Sequence, residues 1–167
     1  MKSLKWILPL LTLCIMLGGC PYNSEVPIDK PSIKINPALL GTWKLQKSEG
    51  GEAEKYKVAA ENEFTYTVDQ IKQGKDPIPF EHYKAYLSAI DGDTLLNLWG
   101  VQEKGTPPNY TFYKLVMSAD RKKVTLLPVT ENITETFTKS EVMKEFFRKY
   151  KNLSFFYGKD VSVLNKE

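Results

Sequence analysis

Polar and apolar residues alternate along most of this chain, in runs too short for helices. Residues 62–68, NEFTYTV, set Phe64, Tyr66 and Val68 against Glu63, Thr65 and Thr67, the period-two pattern of a half-buried strand. Residues 80–90, FEHYKAYLSAI, place Tyr83, Ala85, Leu87 and Ala89 on a smaller, apolar face and Phe80, His82, Lys84, Tyr86 and Ser88 on a wetter one. Asp91-Gly92 separates this run from TLLNLWGV at 94–101. An Asp-Gly between two strand-like runs is a hairpin signal, because glycine takes positive φ at little cost. YTFYKLVMS at 110–118 and KVTLLPV at 123–129 continue the series across a turn at 119–122, and ALLGTWKLQKS at 38–48 opens it. Six or so strands in chain order with short links predict an antiparallel meander, and closure into an up-and-down β-barrel removes its exposed edges.

One segment changes period. In TKSEVMKEFFRKYKN, 138–152, residues Val142, Met143, Phe146, Phe147 and Tyr150 recur at three- and four-residue spacing, the stripe of an amphipathic helix. Thr138 and Glu141 stand at capping-box spacing, and Lys149 and Lys151 sit where a helix C-terminus favours cations. The expected fold is therefore mainly β, a barrel with one C-terminal helix packed on it. A last strand is expected near Leu153–Leu164. Glu141 and Glu145 speak against a helix lying in a membrane surface.

The first 20 residues, MKSLKWILPLLTLCIMLGGC, follow neither pattern. Lys2 and Lys5 precede an apolar run, Trp6 to Leu17, and two glycines lead to Cys20. These are the three parts of a secretory signal peptide. The run is short of the about 20 apolar residues that span a bilayer, and Pro9 interrupts it. Leu17-Gly18-Gly19-Cys20 resembles a bacterial lipobox. That resemblance implies cleavage before Cys20, acyl chains on its thiol and often on its new amino group, and membrane attachment through them. Two or three chains are needed because one acyl chain binds a membrane only marginally. Pro21 follows where aspartate would signal inner-membrane retention, so in a two-membrane cell the expected address is the outer membrane, facing the periplasm. In a one-membrane cell it is the outer face of that membrane, within the cell envelope. The expected organisation is a signal peptide at 1–19, a lipidated Cys20 with a proline-rich tether to 37, and a barrel domain at 38–167.

Charge and cysteine content follow from that cut. Without Lys2 and Lys5 the chain has 21 basic and 20 acidic residues. That balance gives no basic footprint for nucleic acid. Cys14 leaves with the signal peptide and Cys20 carries lipid, so no disulfide is expected and the core alone must hold the domain. Catalytic chemistry is not visible either. His82 is the single histidine and alternates with the outward Lys84 and Tyr86, so no zinc set can form around it. No nucleophile-elbow, phosphate-loop or dinucleotide motif occurs. Asp91 and Asp93 lack the later glutamate of a calcium loop, since position 102 is Gln102. No enzyme, metal or cofactor is expected.

Asn36–Leu45, NPALLGTWKL, resembles the opening motif of the lipocalins and of bacterial lipocalin-like lipoproteins, with Gly41 and Trp43 as its Gly-x-Trp. The resemblance implies a tight backbone entry at Gly41, a tryptophan plugging the closed end of the barrel, and a cup for a small apolar molecule. It also implies a late-strand arginine over the tryptophan, a place that neither Arg121, in a turn, nor Arg148, on the helix, fills. An eight-stranded barrel is just wide enough for side chains or for one small ligand. Phe64, Tyr66, Tyr83, Tyr86, Trp99, Phe112 and Tyr113 decide which. From alternation, Tyr83, Leu87, Asn97 and Trp99 are the candidate ligand contacts, with Asn97 the one polar group in an apolar run. Two functions follow: a lipid-anchored envelope protein binding a small apolar or amphipathic ligand, or one whose filled barrel contacts another envelope protein or peptidoglycan. In the second, the loop EKGTPPN at 103–109 and the helix's Lys144, Arg148 and Lys151 are the natural contact surfaces.

Overall fold

A computed structural model describes residues 21–46, 54–71, 79–102 and 106–167. The signal peptide and Cys20 lie outside them. Among the described residues, nine strands and one α-helix follow in chain order: β1 (Asn23–Ser24), β2 (Gly41–Leu45), β3 (Lys55–Ala60), β4 (Tyr66–Ile71), β5 (Pro79–Ile90), β6 (Asp93–Gly100), β7 (Tyr110–Met117), β8 (Lys123–Pro128), α1 (Ser140–Tyr150) and β9 (Ser162–Lys166). Strands β2 to β9 pair antiparallel with their chain neighbours, and β9 returns to pair with β2. The result is a closed eight-stranded up-and-down barrel. The short β1 pairs with the start of β7 as an extra strand.

Local chemistry accounts for the corners. Asp91 (φ 47°) and Gly92 (φ 84°) both take positive φ in the β5–β6 hairpin, as a primed turn requires. At the β3–β4 turn the Asn62 side chain accepts from the Phe64 and Thr65 amides at 2.9 Å each. That local capping starts β4 at Tyr66 rather than at Asn62, where alternation alone would begin it.

Two apolar layers hold the fold. The first fills part of the barrel interior: Trp43, Tyr66, Ala85, Leu87, Val124 and Leu164 are buried there. The second lies outside it, against β5, β6 and β7. There Met143 and Phe147 of α1, with Phe156 beyond it, meet Ile90, Leu95 and Phe112. Phe112 and Phe147 meet edge-on at 5.6 Å, and Phe147 and Phe156 at 5.1 Å.

Within the segment 138–152 the helix occupies Ser140–Tyr150. Its N-cap is Lys139, with no side-chain cap bond, so the Thr138–Glu141 capping box does not form: Thr138 falls one residue before the cap. Val142 stands exposed, while Met143 and Phe147 carry the packing. The last strand occupies only Ser162–Lys166, because residues 151–155 form turns.

The segment expected as a tether is a strap against the wall. Ile28 is fully buried within the outer layer, beside Tyr22. Its amide donates to Asn97 Oδ1 at 3.0 Å. The Tyr86 hydroxyl donates to the Asp29 carbonyl at 2.6 Å, and Lys144 Nζ reaches Asp29 Oδ2 at 2.6 Å. Apolar Tyr22 and Ile28 among the prolines supply the burial that a free linker lacks.

Candidate functional site

Strand alternation points one set of side chains into the barrel. Trp43 and Leu45 of β2, Tyr56 and Val58 of β3, Tyr66 and Val68 of β4, and Tyr83 and Ala85 of β5 form half of the inner wall. Leu96 and Leu98 of β6, Thr111, Tyr113 and Leu115 of β7, and residues of β8 and β9 form the other half. They enclose a cavity of about 400 Å³. Room remains because three of the largest side chains face outward: Tyr86 stacks edge-on with Trp99 at 5.9 Å, Trp99 meets Tyr110 at 5.3 Å, and Phe112 packs under the helix.

One end of the cavity is floored. Leu39, in a 3₁₀ turn at Pro37–Leu39, and Trp43 both line it. The Asn36 side chain accepts from the Ala38 amide at 3.0 Å, which sets the turn. The Trp43 indole N–H donates to the Leu39 carbonyl at 2.8 Å, and the Asn36 amide donates to the Tyr66 hydroxyl at 2.7 Å. Lys166, on the closing strand, places Nζ 5.4 Å from the Trp43 ring centre and donates to the Ala38 carbonyl at 2.8 Å. A lysine thus stands where no arginine was available, and a cation over an indole face is favourable. Gly41 has φ 120°, a backbone conformation that explains a glycine at this entry.

The opposite end is polar. The Tyr56 hydroxyl donates to Glu54 Oε2 at 2.8 Å, and the Tyr83 hydroxyl donates to Glu81, which is exposed. Burial, with the nearby carboxylates of Glu54 and Glu81, pushes the Tyr56 phenol well above its usual range. Burial also raises Tyr113. Both remain neutral hydroxyl groups at physiological pH. The site is an apolar trough with phenols and carboxylates at its rim.

The four contacts expected from alternation separate. Tyr83 lines the cavity, and Leu87 is buried in the same inner layer. Asn97 and Trp99 lie on the other face of β6. Asn97 is fully buried under the strap, where it accepts from the Ile28 amide and donates to Ser88 Oγ at 2.8 Å. Its polarity serves the strap rather than the interior. The inner residues missed from sequence include Tyr56 and Val58 of β3 and Leu96 and Leu98 of β6. Lys55–Ala60 carries the alternation Tyr56, Val58, Ala60, which was the available signal. Phe80 is the second residue of β5, and its side chain lies outside the described residues, as do residues 103–105 of the loop EKGTPPN.

His82 pairs with Asp69 at 2.9 Å on the exposed outer surface. Among the described residues, no three His, Cys, Asp or Glu side chains are placed to share a metal ion, and no helix is long and apolar enough to cross a membrane. No protein-family model, curated protein or solved structure matches the chain.

Proposed function

We propose that this chain is a lipid-anchored protein of the cell envelope, resembling the lipocalin-like lipoproteins, that holds a small apolar or amphipathic molecule in its barrel without catalysis. The observation that carries the reading is the cavity of about 400 Å³, walled by aliphatic and aromatic side chains and rimmed by hydroxyl groups. Small-molecule sites span about 300–1,000 Å³ and combine apolar walls with a few polar groups that orient the ligand. An apolar body would lie against Leu96, Leu98 and Val58, and a polar head would meet Tyr83 and Glu81. The four-residue lipobox and the preceding signal pattern supply the envelope address.

The test fills the cavity. An N-phenylnaphthylamine probe, dark in water and bright in apolar surroundings, is titrated into the purified protein and into Leu98→Trp. The native protein is expected to saturate and the variant to lose at least ten-fold in affinity, while both keep the same far-ultraviolet circular dichroism. Equal binding by the two folded proteins would place the probe elsewhere and defeat the reading.

A further inference from the structure

The barrel wall begins one residue after Cys20. Pro21 already bridges Thr130, the Tyr22 amide donates to the Val129 carbonyl at 2.9 Å, and Asn23 and Ser24 pair with Thr111 and Tyr110. All of these lie where β8 finishes and β7 begins. In an up-and-down barrel this is also the end where β2, β4 and β6 finish, opposite the Trp43 floor and level with the polar rim. Successive Cα atoms are about 3.8 Å apart, so acyl chains on Cys20 would be held against this end of the wall.

The loop that passes beside Pro21 exposes large apolar side chains. Phe155 and Ser154 line one cleft with Pro21. Phe155 is 54% exposed, Leu153 42% and Val161 44%, three large apolar side chains within nine residues. The loop that carries them is pinned: Phe156 is fully buried, its carbonyl accepts from the Thr130 amide at 3.0 Å, and the Gly158 amide donates to the Pro128 carbonyl at 2.8 Å. The charged residues around the cleft, Glu131, Lys159 and Asp160, are of mixed sign, so apolar contact rather than charge attraction is what this surface offers.

We propose that this end of the barrel lies on the lipid bilayer, with Leu153 and Phe155 in the boundary between headgroups and acyl chains and the cavity rim turned toward the membrane. The inference rests on reading Cys20 as the lipidated residue. Its consequence is a short route for a ligand: a molecule leaving the leaflet meets Tyr83 and Glu81 without crossing bulk water. Amphipathic surfaces that add apolar side chains to a lipid anchor bind as a second signal.

The chain's own cysteines make the test direct. With Cys14 removed and Cys20 acylated, an introduced cysteine is the single free thiol. Phe155→Cys, Leu153→Cys and, in the β7–β8 turn at the floor end, Lys122→Cys are purified as the processed protein and labelled with an environment-sensitive fluorophore. They are then reconstituted into phosphatidylethanolamine and phosphatidylglycerol vesicles with brominated acyl chains. Labels at 153 and 155 are expected to be quenched several-fold more than the label at 122. Equal quenching at both ends, or stronger quenching at 122, with one label per chain, overturns the orientation and leaves the anchor standing. Shielding of the 153 and 155 labels before vesicles are added would assign the surface to a protein partner or a second copy. Two labels per chain would mean a free Cys20, and both the anchor and this inference fail together.

Discussion

Gly41 and Asp93, the first residues of β2 and β6, show how single residues set the floor end of the barrel wall. Gly41 takes φ 120° beside the Lys166 side chain, a conformation costly for any residue with a Cβ. Gly41→Ala is expected to cost about 1–3 kcal/mol, read as a lower urea midpoint with unchanged slope. Asp93 is held by Lys114 and Lys151, each at 2.6 Å, and only 20% of its side chain is exposed. Burial pushes its carboxyl upward, but the two ammonium groups outweigh that and hold it below the usual 3.8. A folded-state value below the unfolded one means the stabilisation is complete above that ordinary value and is lost as pH falls through and below it. Asp93→Asn is expected to cost about 1.5–3 kcal/mol near neutrality. The gap between the two proteins should close in urea titrations taken from pH 6 down toward about 2. A gap that is constant with pH would mean the pair is not the source.

At the scale of elements, the strap is the part that departs most from its composition. Prolines at 21, 27, 31 and 37 read as a linker, yet Ile28 is fully buried between them. Ile28→Ala is expected to destabilise the protein by about 2–5 kcal/mol, measured by thermal or urea unfolding; a true tether would lose nothing. The strap also explains why part of the site was not legible in sequence. Asp91-Gly92 announced its hairpin because the turn is a local event. The face assignment of β6 failed because both of its faces are covered, the inner by the barrel and the outer by strap and helix. A strand apolar on two sides carries no alternation to read, so Leu95, Asn97 and Trp99 were as plausible inside as Leu96 and Leu98. Strand β3 was hidden for a different reason: Lys55 and Lys57 make Tyr56 and Val58 look like parts of a polar stretch. The helix was legible as a stripe, and only its cap was misplaced, by the one residue that moves Thr138 out of the N-cap.

At the scale of the molecule, the closed barrel and its single C-terminal helix followed from meander order and the change of period. The open interior did not follow, because its existence depends on which way each large aromatic points. With Tyr86, Trp99 and Phe112 outside, the inner wall keeps Ala85, Val58 and Val68, and space remains above Trp43. In the proposed function this space holds a small apolar or amphipathic molecule. Native mass spectrometry of the processed protein, purified from its own envelope without denaturant, tests that most directly. An added mass of a few hundred daltons is expected, lost on denaturation and absent from Leu98→Trp. The bare protein mass, obtained under several gentle ionisation conditions from material that still binds the fluorescent probe, would contradict it.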